Sequence, residues 1–222
     1  MESHLLVDQR AAILDHIFAA GQASLPAVQR IDLIADNAGQ ELLYDLSLVD
    51  RMLDQANVPA VQFHLKTHPT FVSDAMVKDV QETIGYLLEQ PQVNGRELGA
   101  RLNGYLEQGR LRLKDDPFWT SPLALWEMPY RLREDLAGSG LILIKGDANY
   151  RRMLGDRHWP YTTPLANIIR YLPAPTAALR VLKSEVAAGL QPGQPEKLQE
   201  LDPDWLVNGK WGVIQFEALQ KP

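Results

Sequence analysis

The sequence predicts an α/β fold of the doubly wound type, and three observations carry that expectation. Short apolar runs rich in Ile, Leu and Val alternate with longer segments of helical period, the order that builds βαβ units and a mainly parallel sheet. Three of those runs end in polar residues: Asp36-Asn37 after the first, His64 and Lys66 followed by Asp74 after the second, and the octet Lys145-Gly146-Asp147-Ala148-Asn149-Tyr150-Arg151-Arg152 from the end of the third. Ligands of open α/β sheets bind beyond the carboxyl ends of the strands, so the same pattern marks where chemistry would be done.

Residues 4–20 have a helical pattern, with Leu5, Ile13, Ile17 and Phe18 roughly on one side and Gly21 as the stop. Arg30 to Ala35 is a short apolar run in the style of a buried parallel strand. Residues 39–56 read as a helix, with Leu42, Leu46, Val49 and Leu53 on one face and Asp45, Asp50 and Asp54 on the other. Pro59 opens a second strand, Ala60 to Lys66, and a turn at His68-Pro69 leads to a helix from about Ser73 to Glu89. Asn94 to Gln108 reads as a further helix suited to a cap over the site. Residues 114–123 read as irregular, followed by a helix from about Leu123 to Ala137 and a third strand at Leu141–Lys145. The segments Ala177–Leu182, ending in Lys183, and Trp211–Phe216 are further apolar strand candidates. The Pro, Gly and Gln content of Gln191–Pro203 predicts a loop.

At 222 residues the chain can bury a substantial core, and its 45% hydrophobic and 23% charged residues are ordinary globular values. The formal net charge of −6 argues against a general binder of nucleic acid or membrane surface, yet leaves room for an anionic substrate met by local cations. With no cysteine, disulfides, thiolate metal sites and cysteine nucleophiles are excluded, which fits a reducing cytosol. No apolar run approaches the ~20 residues of a membrane-spanning helix, and no signal-peptide pattern opens the chain, so a soluble, cytoplasmic protein is expected.

Each polar cluster has a structural and a chemical reading. Asp36 and Asn37 could cap the next helix, with Glu41 suiting its first turn, or could offer hard oxygens to Mg²⁺ or Mn²⁺. Ser73 or Asp74 could likewise cap a helix, or Asp74 could add a second carboxylate to the same ion, with Lys66 nearby for an anion. His64 and His68 lack any zinc spacing and read as hydrogen-bonded or surface residues. In the octet, Lys145, Arg151 and Arg152 could be surface cations. Against that, Gly146 permits close backbone approach, and amides at the start of a helix over Ala148–Leu154 would favour a phosphate. No Walker loop, dinucleotide fingerprint or Gly-x-Ser-x-Gly elbow is present, and Trp119, Trp126 and Trp159 read as packing or cap residues.

Taken in order, Asp36-Asn37-Ala38-Gly39-x-Glu41, His64-Leu65-Lys66-x-x-Pro69-x-Phe71-Val72-Ser73-Asp74 and Lys145-Gly146-Asp147-x-Asn149-Tyr150-Arg151-Arg152 resemble the metal-dependent damage-control phosphatases, specifically subfamily III. The resemblance covers roughly residues 30 to 218. It implies a Rossmann-like three-layer α/β/α sandwich with helical cap segments, and a divalent ion, Mn²⁺ or Mg²⁺ with others possible. By the same resemblance Asp36, Asn37 and Asp74 are the metal ligands, while Glu41, Asp147, Ala148, Asn149, Tyr150, Arg151 and Lys183 line the substrate pocket. Asp36, Asp74, Asp147 and Glu41 then form the catalytic set, and Lys145, Arg151 and Lys183 offset phosphoryl charge. Arg180-Val181-Leu182-Lys183 corresponds to the Arg-Thr-x-Lys signature of that subfamily, with Val181 in place of the Thr.

The implied activity is hydrolysis of small phosphometabolites, notably sugar phosphates such as fructose 1-phosphate or fructose 6-phosphate. The partner is a small phosphorylated metabolite, with no nucleic acid and no membrane. Residues 1–29 read as an amino-terminal helix and linker, the remnant of a helical region that the family usually carries, and residues 30–222 as the phosphatase α/β domain. Part of a cap is therefore expected to be missing. Two other readings stand beside this one. The family is also described as resembling protein-glutamate carboxyl O-methyltransferases that use S-adenosylmethionine, although no Gly-rich loop follows the first strand. The short front end also fits a non-catalytic, truncated metal-binding domain.

Overall fold

The computed structural model describes residues 4–18, 28–56 and 58–218. Along these the elements run β1 (Leu5–Asp8), α1 (Arg10–Phe18), β2 (Arg30–Ile34), α2 (Gln40–Asp54), β3 (Ala60–Leu65), α3 (Val77–Leu88), α4 (Val93–Glu107), β4 (Leu111–Asp115) and α5 (Pro117–Thr120). After a 3₁₀ turn at Leu125–Glu127 come α6 (Tyr130–Ala137), β5 (Leu141–Lys145), α7 (Asp147–Met153), α8 (Leu165–Ile169), β6 (Thr176–Val181), α9 (Gln194–Leu201) and β7 (Gly212–Glu217). The chain divides into two compact units, one of Ile17–Ser121 with Ser139–Leu141, the other of Met1–His16, Pro122–Gly138 and Ile142–Pro222.

In the first unit the strands run in the order β2-β3-β4, all parallel, with Leu33 opposite Phe63 and Phe63 opposite Leu113. Every residue of β3 is buried, and so are the last four of β2, which is why both read as continuous apolar runs. The predicted stripe of α2 is the one that is buried: Leu42, Leu46 and Val49 are fully covered and Leu53 nearly so, each worth roughly 1.5–3 kcal/mol of transfer free energy. Of the acidic residues on its other face, Asp54 is exposed, whereas Asp45 and Asp50 are buried and Asp50 receives a two-pronged bond from Arg101 of α4 at 2.8 Å.

The second unit has the order β1-β7-β6-β5. β1 with β7 and β5 with β6 are parallel, while β6 and β7 are antiparallel. Ile142, Leu143, Ile144, Ala177, Ala178 and Trp205 are buried in its core. The expected α/β class with mainly parallel strands is what the chain adopts.

Four expectations are corrected. Residues 5–8 are a strand and not the start of a helix, because Leu5, Val7 and Asp8 pair with Gly212, Val213 and Ile214; Ala19, Ala20 and Gly21 lie outside the described residues. Leu111–Asp115 is a strand whose Arg112, Lys114 and Asp115 disguise it, charges that suit the end of a strand order. Gln194–Leu201 is a helix inside the predicted loop, opened by Pro195 in its first turn and anchored by buried Leu198. The helix expected over 123–137 starts only at Tyr130, after Pro129.

Candidate active site

In the first unit the loops leaving β2 and β3 are tied together. Asn37 and Asp74 form an isolated bridge, the Ala75 N–H donates to the Asp36 carbonyl at 3.0 Å, and the Ala38 N–H donates to the Ser73 carbonyl at 2.7 Å. Asn37 Nδ2 donates to Asp36 Oδ2 and to Glu41 Oε2, both at 2.9 Å, while Asn37 Oδ1 accepts from Ser73 Oγ at 2.6 Å. Asp74, 3% exposed, accepts the backbone N–H groups of Thr70 and Phe71 on Oδ2 at 2.9 and 3.1 Å, and Lys66 Nζ lies 4.0 Å from the same oxygen. The structure thus brings Asp36, Asn37, Glu41 and Asp74 together.

The capping alternative fails for both pairs. The N-cap of α2 is Gly39, at φ 71° and without a side-chain cap, and the N-cap of α3 is Met76, whose N–H donates to Asp79 Oδ2 at 2.8 Å. None of Asp36, Asn37 and Asp74 is therefore a helix N-cap; Asn37 bonds to Asp36, Glu41 and Ser73, and Asp74 to the backbone of its own loop. As a donor set they fit a hard divalent ion: two carboxylates and an amide oxygen on two bridged loops, with the contacts of Asp74 all on Oδ2. Among the described residues no group of three or more His, Cys, Asp or Glu is placed to hold a metal, so an ion here would take its third protein oxygen from Asn37.

In the second unit, Gly146 makes the turn from β5 into α7 at φ 87°, and its N–H donates to the Leu179 carbonyl of β6 at 2.9 Å. Asp147 opens α7 and accepts on Oδ1 from Arg180 Nε at 2.7 Å, Ser184 Oγ at 3.1 Å and the Lys183 N–H at 3.3 Å. Asn149 is fully buried and donates to the Lys145 carbonyl at 2.9 Å. Tyr150, 1% exposed, donates to Gln215 Oε1 at 2.9 Å, and burial pushes its phenol up to about 12. These two side chains hold the turn from beneath, while Lys145, Asp147, Ala148 and Arg151 are partly exposed and Lys183 is exposed. Arg151 forks onto Asp156 with two bonds of 2.7 Å, which hold the Asp156 carboxyl below its ordinary range. Arg152 is buried, donates to the Leu123 carbonyl at 2.8 Å, and is pushed down to about 10 by that burial.

Sequence reasoning missed three contributors. Arg180 was noticed only as part of a signature, yet it is the ion-pair partner of Asp147. Ser184 bonds to both. Ser73 bonds to Asn37 from 36 residues away. Their links to Asp147 and to Asn37 span 33 to 37 positions, so only a contact across the fold reveals them. His64 is a buried hydrogen-bonded residue and His68 an exposed one, and Trp119 packs edge-on against His64 at 5.2 Å.

The family described as the damage-control phosphatase ARMT1-like domain matches residues 1–198. Curated relatives named damage-control phosphatase ARMT1 are similar throughout: the protein of Danio rerio is 36% identical over 98% of this chain and 50% of its own length. That of Rattus norvegicus is 34% identical over 98% of this chain and 51% of its own, and that of Homo sapiens 36% identical over 85% and 44%. This chain therefore spans about half the length of the curated relatives it matches. Among solved structures, a DUF89 family protein from Pyrococcus horikoshii shares the fold, with a TM-score of 0.51 at 14% identity, over 97% of this chain and 53% of that one.

Proposed function

The chain belongs to the damage-control phosphatase ARMT1-like domain family, and from that membership we propose that it hydrolyses phosphate monoesters of small metabolites with the help of a divalent ion. The observation that carries this reading is the bridge between Asp36-Asn37 and Ser73-Asp74, which gathers hard oxygen donors none of which is a helix N-cap. Asp36, Asn37 through Oδ1, and Asp74 would hold Mn²⁺ or Mg²⁺, and the ion supplies Lewis-acid polarisation of the phosphoryl group. Lys145, Arg151 and Lys183 offset the charge that builds on the equatorial oxygens. Glu41, fixed through Oε2 by the Asn37 amide, and Asp147, fixed through Oδ1, are the carboxylates that orient the attacking water or pass a proton to the leaving alkoxide. Ala148 lies in the first turn of α7, beside Asp147.

The substrates that suit this reading are hexose and ketose phosphates such as fructose 1-phosphate or fructose 6-phosphate. All the residues named fall within the 30–222 segment, which we take as the phosphatase domain. A cysteine-free chain suits a reducing cytoplasm. Among the described residues no helix is long and apolar enough to cross a membrane.

Phosphate release from a panel of sugar phosphates, with Mn²⁺ or Mg²⁺ and again after EDTA, tests the proposal. Release that requires the metal, and that falls at least about a hundredfold in Asp36→Ala, is the expected outcome. Metal-independent release, or an Asp36→Ala protein as fast as the parent, would overturn it.

A further inference from the structure

Arg180 lies near the end of β6 with a side chain only 1% exposed, and a guanidinium so buried needs partners for each of its nitrogens. It has them. Nε donates to Asp147 Oδ1 at 2.7 Å, Nη1 donates to the Val186 carbonyl, and Nη2 donates to the Ser184 carbonyl at 2.9 Å and to Ser184 Oγ at 2.8 Å. The guanidinium carbon sits 4.4 Å from the centroid of the Tyr150 ring, within cation–π range.

The carbonyls of Ser184 and Val186 are two residues apart, and both reach the same guanidinium because the segment after β6 curls around it. That segment begins with Lys183, whose N–H is bonded to Asp147 at 3.3 Å, and it is gripped further along where Gln215 Nε2 donates to the Ala188 carbonyl at 2.8 Å. Gln215 is in turn the acceptor for the Tyr150 hydroxyl at 2.9 Å. One buried cation thus organises the carboxylate that opens α7 and the loop that carries Lys183.

We propose that Arg180 is a positioning residue that acts through Asp147: it fixes the carboxylate through Oδ1, leaving Oδ2 for the substrate, and the 183–188 loop wound around the guanidinium holds it in that place. The proposal rests on the reading of Asp147 as a substrate contact. It has a specific consequence. Arg180 acts through Asp147, so its contribution to turnover disappears once Asp147 no longer acts. Lysine cannot replace it, because an ammonium cannot span Asp147, Ser184 and Val186 together as a planar fork does.

The test is a double-mutant cycle on sugar-phosphate turnover, with rates expressed per folded molecule from melting curves. Arg180→Lys should lower kcat about ten- to a hundredfold with KM changed much less, as misplacement of a reacting group does. Asp147→Asn should cost at least as much, and the double variant should be no slower than Asp147→Asn alone. Ser184→Ala, a milder change that keeps the ion pair, should lose a few-fold in kcat and nothing further in the Asp147→Asn background. It decides the matter if Arg180→Lys does not fold. Additive losses, an Arg180→Lys protein with parental kcat, or an Asp147→Asn protein with parental kcat would each overturn the proposal while the phosphatase reading stands. A parent chain that releases no phosphate under any metal would overturn that reading, and this inference with it.

Discussion

Asp32 and Asp147 are each held by an arginine Nε at 2.7 Å, Asp32 by Arg30 in β2 and Asp147, at the start of α7, by Arg180. They differ in what is left over. Asp32 is fully buried and uses both oxygens, Oδ2 for Arg30 and Oδ1 for Gln62 Nε2 at 3.0 Å and His64 Nε2 at 2.8 Å. The side chain of Asp147 is 16% exposed and its three donors all meet Oδ1. Asp32 bolts β2 to β3 with nothing to spare. Asp147 is a handle: one oxygen anchors it to the fold and the other can serve a ligand. Saturation of the acceptor, more than the ion-pair distance, separates a structural carboxylate from a chemical one.

That distinction is broken most directly at Asp32. Removing one partner of a buried ion pair leaves an uncompensated charge, so Asp32→Asn should lower the unfolding free energy by about 3–5 kcal/mol in urea titrations. Its rate per folded molecule should stay within about twofold of the parent, the ordinary outcome for a site without substrate contact. Asp147→Asn should differ in turnover: kcat lower by about a hundredfold, on top of a stability loss of the same order, about 3–5 kcal/mol, because Arg180, 1% exposed, loses its counter-charge. If Asp32→Asn proves the slower enzyme, the two carboxylates have been assigned the wrong way round.

The underside of the handle gives a pH signature. Burial raises the Tyr150 phenol to about 12, against about 10 for a tyrosine in the unfolded chain. Between those values the unfolded state loses its proton and the folded state keeps it, so this residue's contribution to stability is intact below about pH 10 and drains away as the pH rises towards 12. The full loss, two pKa units, is roughly 3 kcal/mol. Urea midpoints of the parent and Tyr150→Phe, compared at successive pH values, should show the parent losing stability more steeply above pH 10 by about that amount. Equal slopes would mean that the ring beneath Arg180 is open to water.

The strand ends were legible because their signals are local. An Ile- and Leu-rich run stopping at Asp36-Asn37, or at Lys145-Gly146-Asp147, announces both a buried strand and a polar turn within eight residues. The anchors were not, because they act at a distance: Arg180 meets Asp147 across 33 positions and His64 meets Asp32 across 32. β1 was hidden for the same reason, since four residues fit either period and the pairing that makes Leu5–Asp8 a strand is with Gly212–Ile214. β4 alternates leucine with arginine and lysine, as a charged strand at the end of an order does, and its pattern was too polar to read as buried.

A third arginine pair completes the series and should respond least. Arg151 forks onto Asp156 with side chains 41% and 54% exposed, and an ion pair so open to solvent is worth at most about 0.5–1 kcal/mol. Asp156→Asn should therefore move the urea midpoint only slightly, and added salt should shrink even that difference. The effect on binding should have the opposite sign from a structural loss. With Asp156 neutral, the Arg151 fork is no longer engaged by a carboxylate and meets phosphate with less competition, so KM for a sugar phosphate should fall by about two- to threefold while kcat holds. A rise in KM would mean that Asp156 holds Arg151 ready for the phosphate. The surface pair would then belong with Arg180 and Asp147 as an anchor, and exposure alone would no longer rank the three.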